Sequence, residues 1–287
     1  MEKTSISGHT RLVGFLASPA EHSISPKMHN FAFQELGIDA VYLAFDIPAE
    51  AFSQAIQSIR TFRMLGANVS MPNKILAIDY MDELSEAAAL IGAINTIVYQ
   101  NNRLIGHNTD GIGFCDSLRA ANVQITGATM TLIGAGGAAT AMICQAALDG
   151  METIHIFSRP GPRYNRMAQK IQEIMSQTAC VITLSELDEQ EKLAQAIANS
   201  DLLANATSVG MKAKESPIDA VYLHENLTVY DAIYEPRETL LLQQAKHKGA
   251  QTINGLGMLL YQGAAAFELW TGQQMPVDKV KSIIEKS

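Results

Sequence analysis

The sequence has little cysteine and little basic charge, and each shortage excludes a class of protein. The 3 cysteines, Cys115, Cys144 and Cys180, are spaced neither as a metal-binding pair nor as a redox Cys-x-x-Cys, so we interpret them as reduced thiols in a core. Lysine and arginine together number 21 against 29 acidic residues, and the net charge of −8 offers no general attraction to nucleic acid or to an anionic membrane surface. We therefore expect neither nucleic acid nor membrane as a partner.

Long hydrophobic runs are also missing. No run reaches the roughly 18 apolar residues of a membrane span, and the polar start, Met1 to Arg11, lacks the apolar stretch of a signal peptide. A cytoplasmic location is the resulting expectation. The 7 histidines lack the spacing of metal ligands, so we predict no metal site.

The composition of the sequence and its alternation of apolar runs with helical stretches are typical of an α/β protein. Hydrophobic residues make up 47% of its 287 residues, enough for two buried cores rather than one. Runs rich in branched apolar residues, such as Arg11–Leu16 and Thr129–Ile133, alternate with stretches of helical period, which is typical of βαβ units. The pair Ser25-Pro26 indicates a helix start, in which the serine hydroxyl caps free amides. We predict an α/β fold with two domains.

A glycine-rich segment follows the run Thr129–Ile133 directly and opens a predicted helix. Its sequence, Gly-Ala-Gly-Gly-Ala-Ala, fits G-x-G-x-x-G/A at a turn between a strand and a helix. The glycines permit a tight turn and a close approach of phosphate to the backbone, and small Ala139 lets the helix pack closely. A purely structural turn is the alternative, but the surrounding βαβ repeat favours dinucleotide binding. The predicted contacts are Gly134, Ala135, Gly136, Gly137 and Ala138.

The end of the next strand indicates which dinucleotide binds. An acidic residue there holds the ribose 2′-hydroxyl of NAD, whereas arginine accommodates the 2′-phosphate of NADP. The stretch from Ser158 to Arg163 has no carboxylate and carries two arginines, which favours NADP and predicts Ser158 and Arg159 as cofactor contacts. NAD stays open, because both arginines also fit solvated loop residues and Arg159 also fits stacking on the adenine.

Polar side chains interrupt the apolar pattern of the first domain in segments that lie at the ends of predicted strands or the starts of helices. Such segments converge on one edge of a sheet, and their hydroxyl, amide, ammonium and carboxylate groups suit a small polyhydroxylated substrate. Reduction of a ketone needs a placed acid, and we predict Lys74 for this role, oriented by Asp110. On composition alone, surface positions in helix first turns explain both residues better. The segments are His22 to Pro26, Asn68 to Lys74, Gly92 to Thr96 and Asn108 to Gly111.

These segments resemble the shikimate dehydrogenase family, of the shikimate/quinate dehydrogenase type, over nearly the whole chain. His22 to Asn30 resembles the family's substrate loop, and Asn68 to Lys74 its catalytic segment. Ala93 to Thr96 is similar to its Asn-Thr segment and Asn108 to Gly111 to its Asn-Thr-Asp-Gly. Further similar segments downstream are Asn205 to Met211, Tyr234 to Pro236 and Gly255 to Gln262.

The resemblance implies a fold and a set of residue roles. The fold would be an N-terminal α/β substrate domain, residues 1–117 with 255–287, and a C-terminal Rossmann-type dinucleotide-binding domain, residues 118–254. Lys74 and Asp110 would form the catalytic pair. Substrate contacts would be Ser23, Ser25, Ser70, Asn95, Asp110, Tyr234 and Gln262, and further cofactor contacts Asn205, Thr207, Met211 and Gly255.

Two stretches depart from the stricter shikimate enzymes. Asn73 stands before the lysine where those enzymes have an aromatic residue, and so resembles the quinate/shikimate paralogues; Asn73 or Ser70 would change how the added hydroxyl of quinate is accommodated. The strand tip Pro160-Gly161-Pro162 replaces the threonine or acidic pair common in the family, which leaves the choice between NADP and NAD open.

The leading hypothesis is the reversible NAD(P)-dependent reduction of 3-dehydroshikimate to shikimate, a step of aromatic amino acid biosynthesis. The alternatives are a quinate/shikimate dehydrogenase with dual substrate and cofactor use, a dehydrogenase of another cyclic polyol, and, from another class, a nicotinamide-sensing module without chemistry. Lys74 and Asp110 argue against the last of these. No sequence feature marks a self-complementary patch, so the oligomeric state stays open, a homodimer included.

Overall fold

A computed structural model describes residues 6–285, which form two compact units. The first unit takes in the described residues up to Thr109 and from Leu260 onwards, and the second runs from Asp110 to Leu259. The domain boundaries after positions 117 and 254 stay a prediction. Positions 1–5 and 286–287, which the expected substrate domain includes, lie outside the described residues.

Strands and helices alternate along both units. The strands are β1 (Arg11–Ala17), β2 (Ala40–Asp46), β3 (Gly66–Val69), β4 (Glu83–Leu84), β5 (Thr96–Gln100), β6 (Arg103–His107), β7 (Thr129–Ile133), β8 (Thr153–Ser158), β9 (Val181–Glu186), β10 (Leu202–Asn205), β11 (Thr228–Asp231) and β12 (Gln251–Asn254). The helices are α1 (Ser25–Glu35), α2 (Phe52–Thr61), α3 (Glu86–Ile91), α4 (Asp110–Ala120), α5 (Gly137–Leu148), α6 (Pro162–Gln177), α7 (Gln190–Ala198), α8 (Leu240–His247), α9 (Leu256–Thr271) and α10 (Val277–Ile284). Short 3-10 turns lie at Ala49–Ala51, Leu76–Tyr80 and Ala220–Tyr222.

The sheet of the first unit is mixed, and its strand directions gather the polar segments at one edge. Its order is β2-β1-β3-β5-β6-β4. Strand β1 runs parallel to β2 and β3, whereas β5 runs antiparallel to both β3 and β6. The carboxyl ends of β1, β3 and β6 therefore share an edge with the amino end of β5. The chain leaves or enters this edge at Ser18, Ser70, Asn95 and Asn108.

The sheet of the second unit is parallel throughout and doubly wound. Its order is β12-β11-β10-β7-β8-β9, with β7 paired to both β8 and β10. Successive strands run outward from β7 in one direction as far as β9, and then from β10 in the other direction as far as β12. Ligands of such sheets bind where the order reverses, at the carboxyl ends of the two central strands. The predicted α/β fold is confirmed.

Each sheet has its own hydrophobic core, because its strands carry apolar side chains against amphipathic helices. In the first unit Ile56 and Ile59 of α2 pack with Ala67 and Ile97 of the sheet. The core of the second unit includes Leu193 and Ile197 of α7 together with Leu203, Val229 and Leu241. The cysteines, Cys115, Cys144 and Cys180, are free and buried.

The start of α1 differs from the prediction. Helix α1 begins at Ser25 itself, and its N-cap position is Ile24, whose side chain makes no capping hydrogen bond; the amide of Ser25 donates to Oγ of Ser23. Ser25 is buried, and its hydroxyl bonds to the side chain of Tyr42 instead. The expected serine cap is therefore wrong, because a tertiary partner competes for the hydroxyl. Pro26 lies in the first turn, where no amide hydrogen is needed.

Within the described residues, no helix has both the length and the apolar character that a membrane span requires.

Candidate functional site

Backbone hydrogen bonds bring the catalytic segment and the Asn-Thr segment together in the first unit. The amide of Ile94 donates to the carbonyl of Lys74 over 2.9 Å, and the amide of Val69 donates to the carbonyl of Asn95 over 2.8 Å. The amide of Ser70 donates to the carbonyl of Leu16 over 3.0 Å. Ser70, Lys74 and Asn95 are thus anchored at one edge of the sheet. Lys74 and Ser70 are half-buried, as expected for residues that face a crevice.

Asn73 holds the loop that carries Lys74. Its side chain is 0% exposed, and its Nδ2 donates to the carbonyl of Ile47 over 2.8 Å. Its amide donates to the carbonyl of Ser70, and its own carbonyl accepts from the amide of Ala77, each over 2.9 Å. A side chain enclosed in this way has no surface for a substrate hydroxyl. Asn73 therefore shapes the loop, and its effect on how the added hydroxyl of quinate is accommodated stays a prediction.

The substrate loop and helix α9 meet in the same unit. Oγ of Ser23 accepts a hydrogen bond of 3.2 Å from the amide of Ser25, so the two serines are fixed relative to each other. Gln262 precedes Gly263, where a Cβ would lie 2.1 Å from Cε of Met28. The absence of a side chain at Gly263 lets α9 pack closely on Met28 of α1. Gln262 is half-buried beside that contact.

Asn95 lies at the centre of a buried polar cluster. Its Oδ1 accepts from the amide of Thr109 over 2.8 Å and from Oγ1 of Thr96 over 2.9 Å, and its Nδ2 donates to Oγ1 of Thr109 over 3.0 Å. Nδ2 of Asn108 donates to the carbonyl of Ala93 over 3.0 Å. The Asn-Thr segment and the Asn-Thr-Asp-Gly segment therefore fix each other's geometry.

Asp110 is the first residue of α4 and belongs to the second unit, whereas Lys74 belongs to the first. A Cβ at the next residue, Gly111, would lie 2.5 Å from the carbonyl oxygen of Ala141. Helix α4 thus packs on α5 at a distance that only glycine allows, and this fixes the position of Asp110 within its unit. The pairing of Lys74 with Asp110 stays a prediction.

The glycine turn lies where the strand order of the second sheet reverses. Gly134 has a φ of +119°, and a Cβ there would lie 3.0 Å from Cγ2 of Thr207 and 3.2 Å from the carbonyl oxygen of Ala206. A Cβ at Gly136 or Gly137 would meet no atom within 4 Å. The first glycine is therefore required by the protein's own packing, and the next two leave space at the N-terminus of α5. Such space beside free helix amides fits a dinucleotide pyrophosphate.

The loop after β10 is held by a buried carboxylate. Nδ2 of Asn205 donates to Oδ1 of Asp231 over 3.0 Å, and Oδ1 of Asn205 accepts from the amide and the hydroxyl of Thr207 over 3.0 and 2.7 Å. Oδ2 of Asp231 accepts from Oγ1 of Thr239 over 2.6 Å. Burial raises the pKa of Asp231, while its hydrogen bonds from Thr239, Ile233 and Asn205 act in the opposite direction. Asn205 is buried, so its side chain shapes the loop and leaves Thr207 and Met211 nearer the surface.

The remaining cofactor candidates of the second unit are mostly exposed. Arg159 directly follows β8, Arg163 lies in the first turn of α6, and both are exposed. Tyr234, which is predicted as a substrate contact, is also exposed. The cofactor candidate Gly255 is buried, with the carbonyl oxygen of Ala232 only 2.1 Å from the position of a Cβ. Gly255 is thus explained by packing inside its own unit. Half-buried Ser158 closes β8.

Sequence reasoning missed three buried polar residues that support the site. Asn68 belongs to the predicted catalytic segment but has no predicted role of its own. Tyr42 and Asp231 belong to none of the predicted site segments. Asn68 and Asp231 lie in or at the end of strands that are otherwise apolar, and this is the signal that marks them. Tyr42 gives no signal, because an aromatic residue in a strand is ordinarily core.

Known proteins are similar to this chain both in sequence and in fold. A family model described as the shikimate dehydrogenase substrate binding domain matches residues 15–97, and one described as the shikimate 5'-dehydrogenase C-terminal domain matches residues 255–285. The solved structure of shikimate 5-dehydrogenase from Listeria monocytogenes in complex with shikimate and NAD has a TM-score of 0.95 at 46% identity, covering 97% of this chain and 98% of that one.

Curated relatives cover the chain almost completely. It is 46% identical to shikimate dehydrogenase (NADP(+)) of Listeria monocytogenes serotype 4b (strain F2365) over 97% of each chain. It is 43% identical to quinate/shikimate dehydrogenase of Escherichia coli O139:H28 (strain E24377A / ETEC) over 95% of this chain and 96% of that protein. The resemblance seen in the sequence motifs is confirmed, and the chain belongs to the shikimate dehydrogenase family.

Proposed function

We propose that this protein is a shikimate dehydrogenase, which reversibly reduces 3-dehydroshikimate to shikimate with a nicotinamide dinucleotide. The observation that carries the proposal is the backbone bond between Ile94 and Lys74, which sets the predicted acid beside Asn95 at the strand edge. Family membership supplies the substrate class, since the Listeria monocytogenes relative is a shikimate dehydrogenase (NADP(+)). We assign the substrate to the first unit and the dinucleotide to the second.

The chemistry requires a proton at the ring oxygen that becomes a hydroxyl. We assign this proton transfer to Nζ of Lys74, with Asp110 orienting the ammonium group. Ser23, Ser25, Ser70, Asn95, Tyr234 and Gln262 orient the ring through its hydroxyl and carboxylate groups. Hydroxyl and amide side chains suit this task, because an analogue that lacks a hydroxyl leaves a buried polar partner unpaired.

The dinucleotide fits the second unit. The residues that would hold it are Gly134 to Ala138 at the pyrophosphate, Ser158 and Arg159 at the adenosine half, and Thr207 with Met211 at the nicotinamide half. When bound, the nicotinamide ring supplies or accepts the hydride. Arg159 and Arg163 support NADP, as does the name of the Listeria monocytogenes relative, although the solved Listeria monocytogenes enzyme holds NAD. We further propose a cytoplasmic location, where such a biosynthetic enzyme would draw on the cell's nicotinamide pool.

A quinate/shikimate dehydrogenase is the second candidate. The relative from Escherichia coli carries that name at 43% identity. Asn73 supports it indirectly, since it replaces an aromatic residue in the loop of Lys74 and ties that loop to Ile47. A change in the position of Ser70 or Lys74 would alter which ring the site accepts.

The deciding experiment is a set of initial rates on the purified protein, with shikimate and quinate each paired with NAD and with NADP. The absorbance of the reduced cofactor is followed, and the Lys74→Ala variant prepared identically controls for contaminating dehydrogenases. Shikimate with NADP as the dominant pair supports the first candidate, and comparable rates with quinate and NAD support the second. Dinucleotide binding without turnover of either substrate would overturn both and favour a binding module.

A further inference from the structure

Tyr42 of β2 is an enclosed tyrosine whose hydroxyl lies between two segments of the proposed substrate site. Its side chain is 0% exposed, and its ring stacks on His29 at a centroid distance of 4.5 Å and an angle of 17°. The hydroxyl donates to Oδ1 of Asn68 over 2.8 Å and is also hydrogen-bonded to the side chain of Ser25. Burial raises the pKa of Tyr42, so the hydroxyl keeps its proton.

The direction of these bonds follows from the number of donors. A tyrosine hydroxyl has a single hydrogen, and Oδ1 of Asn68 can only accept it. The bond to Ser25 must therefore be donated by the serine hydroxyl. Ser25 then presents only its acceptor side to any further partner, so a substrate group that it contacts must itself be a donor, such as a ring hydroxyl.

The hydrogen bond from Tyr42 also fixes which way the side-chain amide of Asn68 faces. With its Oδ1 facing Tyr42, Nδ2 of Asn68 donates to the carbonyl of Asn95 over 3.1 Å and to Oγ1 of Thr96 over 3.0 Å. Oγ1 of Thr96 then donates to Oδ1 of Asn95 over 2.9 Å. We call Ser25, Tyr42, Asn68, Thr96 and Asn95 the Tyr42 chain. Each member is buried, and the links from Tyr42 through Asn68 and Thr96 to Asn95 are hydrogen bonds of 2.8, 3.0 and 2.9 Å.

We propose that Tyr42 is a positioning residue that sets the donor direction of Ser25 and, through Asn68 and Thr96, holds Asn95 in place, and so determines affinity for a polyhydroxylated ring. The inference rests on the proposed function, which places both residues against the substrate. Buried polar networks act as units, because a member that loses its partner pays the full cost of its burial. The loss of one hydroxyl at Tyr42 releases Ser25 and leaves Oδ1 of Asn68 without its donor.

The test is Tyr42→Phe, which removes the hydroxyl and keeps the ring stacked on His29. We expect the KM and the Kd for shikimate to rise about 5–30-fold, with the KM for the cofactor unchanged. Thr96→Val, which cuts the chain between Asn68 and Asn95 at nearly constant volume, is expected to act in the same direction and serves if Tyr42→Phe folds poorly.

The matched control is Tyr230→Phe. Tyr230 is also 0% exposed, and its hydroxyl lies 3.5 Å from Oγ of Ser117 in the second unit. It loses a buried hydroxyl without touching the Tyr42 chain, so the KM for shikimate should stay at its wild-type value. A double-mutant cycle with Ser25→Ala separates the two routes, since the part of the Tyr42→Phe effect that passes through Ser25 should vanish once Ser25 is gone and the part that passes through Asn68 should remain.

The outcomes separate this inference from the proposed function. If the wild-type enzyme turns over shikimate and Tyr42→Phe matches it in KM, the role of Tyr42 is overturned while the function stands. An equal rise in KM for Tyr230→Phe, or full additivity with Ser25→Ala, would overturn it as well. A wild-type protein without activity toward shikimate or quinate would remove the proposed function and this inference with it.

Discussion

At the scale of single residues, Lys74 owes its position to its neighbours. The loop from Ser70 to Ala77 is closed by backbone bonds through Asn73, and the carbonyl of Lys74 accepts from Ile94. Replacing the side chain therefore leaves these backbone bonds in place. This separates the chemical contribution of the ammonium group from its structural one.

We expect Lys74→Ala to lower kcat by roughly 10²–10⁴-fold, the effect of a lost general acid or base. The measurement is the initial rate with shikimate at saturating cofactor, with a thermal unfolding curve to verify folding. Lys246→Ala, at a lysine whose side chain is 72% exposed, is the matched control and should keep wild-type rates. Unchanged turnover with intact substrate affinity would remove Lys74 from the mechanism.

A second residue-scale prediction concerns His29, which is fully buried and has no hydrogen-bond partner on either ring nitrogen. Burial lowers the pKa of His29 from 6.5 to about 3. Below pH 6.5 the unfolded chain therefore binds a proton at this histidine. The folded chain binds it only near pH 3. Stability is complete above the unfolded pKa and declines as the pH falls through this window.

We expect the wild-type free energy of unfolding to fall between pH 7 and pH 5 by about 2 kcal/mol more than that of His29→Leu. Urea unfolding at both pH values measures the difference. His9→Leu, at an exposed histidine, controls for the loss of a histidine in general. Equal declines in wild type and His29→Leu would show that another group controls the acid sensitivity.

At the scale of elements, the sequence predicts strands with a clear apolar pattern well and short connecting pieces poorly. The strand from Thr129 to Ile133 matches its predicted bounds, because an apolar run specifies a buried strand directly. The 3-10 turn Leu76–Tyr80, the two-residue strand β4 and helix α3 were not predicted. Such pieces are too short to show a period, and tertiary contacts decide their conformation.

The site could be predicted as a set of segments but not as a network. Turn glycines and polar residues at strand ends are visible in a sequence, and they single out Gly134, Lys74 and Asn95 as candidates. The partners behind them are not visible: Tyr42 and Asn95 are far apart in the chain, and the pairing of β1 with β2 and β3, and of β3 with β5, brings them together. The burial of Asn73 is likewise not visible in the sequence.

The glycine turn gives a prediction at the scale of elements, because Gly134 is required by packing whereas Gly136 leaves space for a ligand. Gly136 has a φ of −90°, which any residue adopts, and a Cβ there would meet no protein atom. Gly136→Ala should thus leave the free energy of unfolding within about 1 kcal/mol of wild type, because the poorer N-cap and the lower entropy of the unfolded chain act in opposite directions. It should raise the KM for the cofactor by roughly tenfold or more, about 1.4 kcal/mol, since the methyl group occupies the space of the pyrophosphate.

Gly127→Ala is the complementary control for this turn. Gly127 has a φ of +74° and also has no atom within 4 Å of a Cβ, but it lies before β7 and outside the turn. Alanine there should cost about 1 kcal/mol of stability and leave the KM for the cofactor unchanged. A Gly136→Ala enzyme with normal cofactor KM would mean that the glycine turn is structural only.

At the scale of the whole molecule, the net negative charge opposes the binding of an anionic cofactor, so local groups must supply the attraction. The protein carries a net charge of −8, and its proposed cofactor is an anion. Long-range attraction is therefore absent, and binding depends on groups within about 8 Å, the screening length at physiological salt. The N-terminus of α5 serves the pyrophosphate whichever dinucleotide is bound. Among the described residues, Arg159 and Arg163, which follow β8, are our candidates for distinguishing NADP from NAD by charge.

The last prediction concerns these two arginines, because the N-terminus of α5 serves both cofactors equally. We expect the double variant Arg159→Ala, Arg163→Ala to raise the KM for NADP by roughly 10–100-fold, about 1.4–2.8 kcal/mol, and to change the KM for NAD little. The wild-type KM for NADP should rise with ionic strength, and that of the variant should be nearly independent of it. Arg166→Ala, at an exposed arginine of the same helix, is the matched control. A parallel rise for both cofactors would assign Arg159 to the adenine, and no rise would make both arginines solvated loop residues.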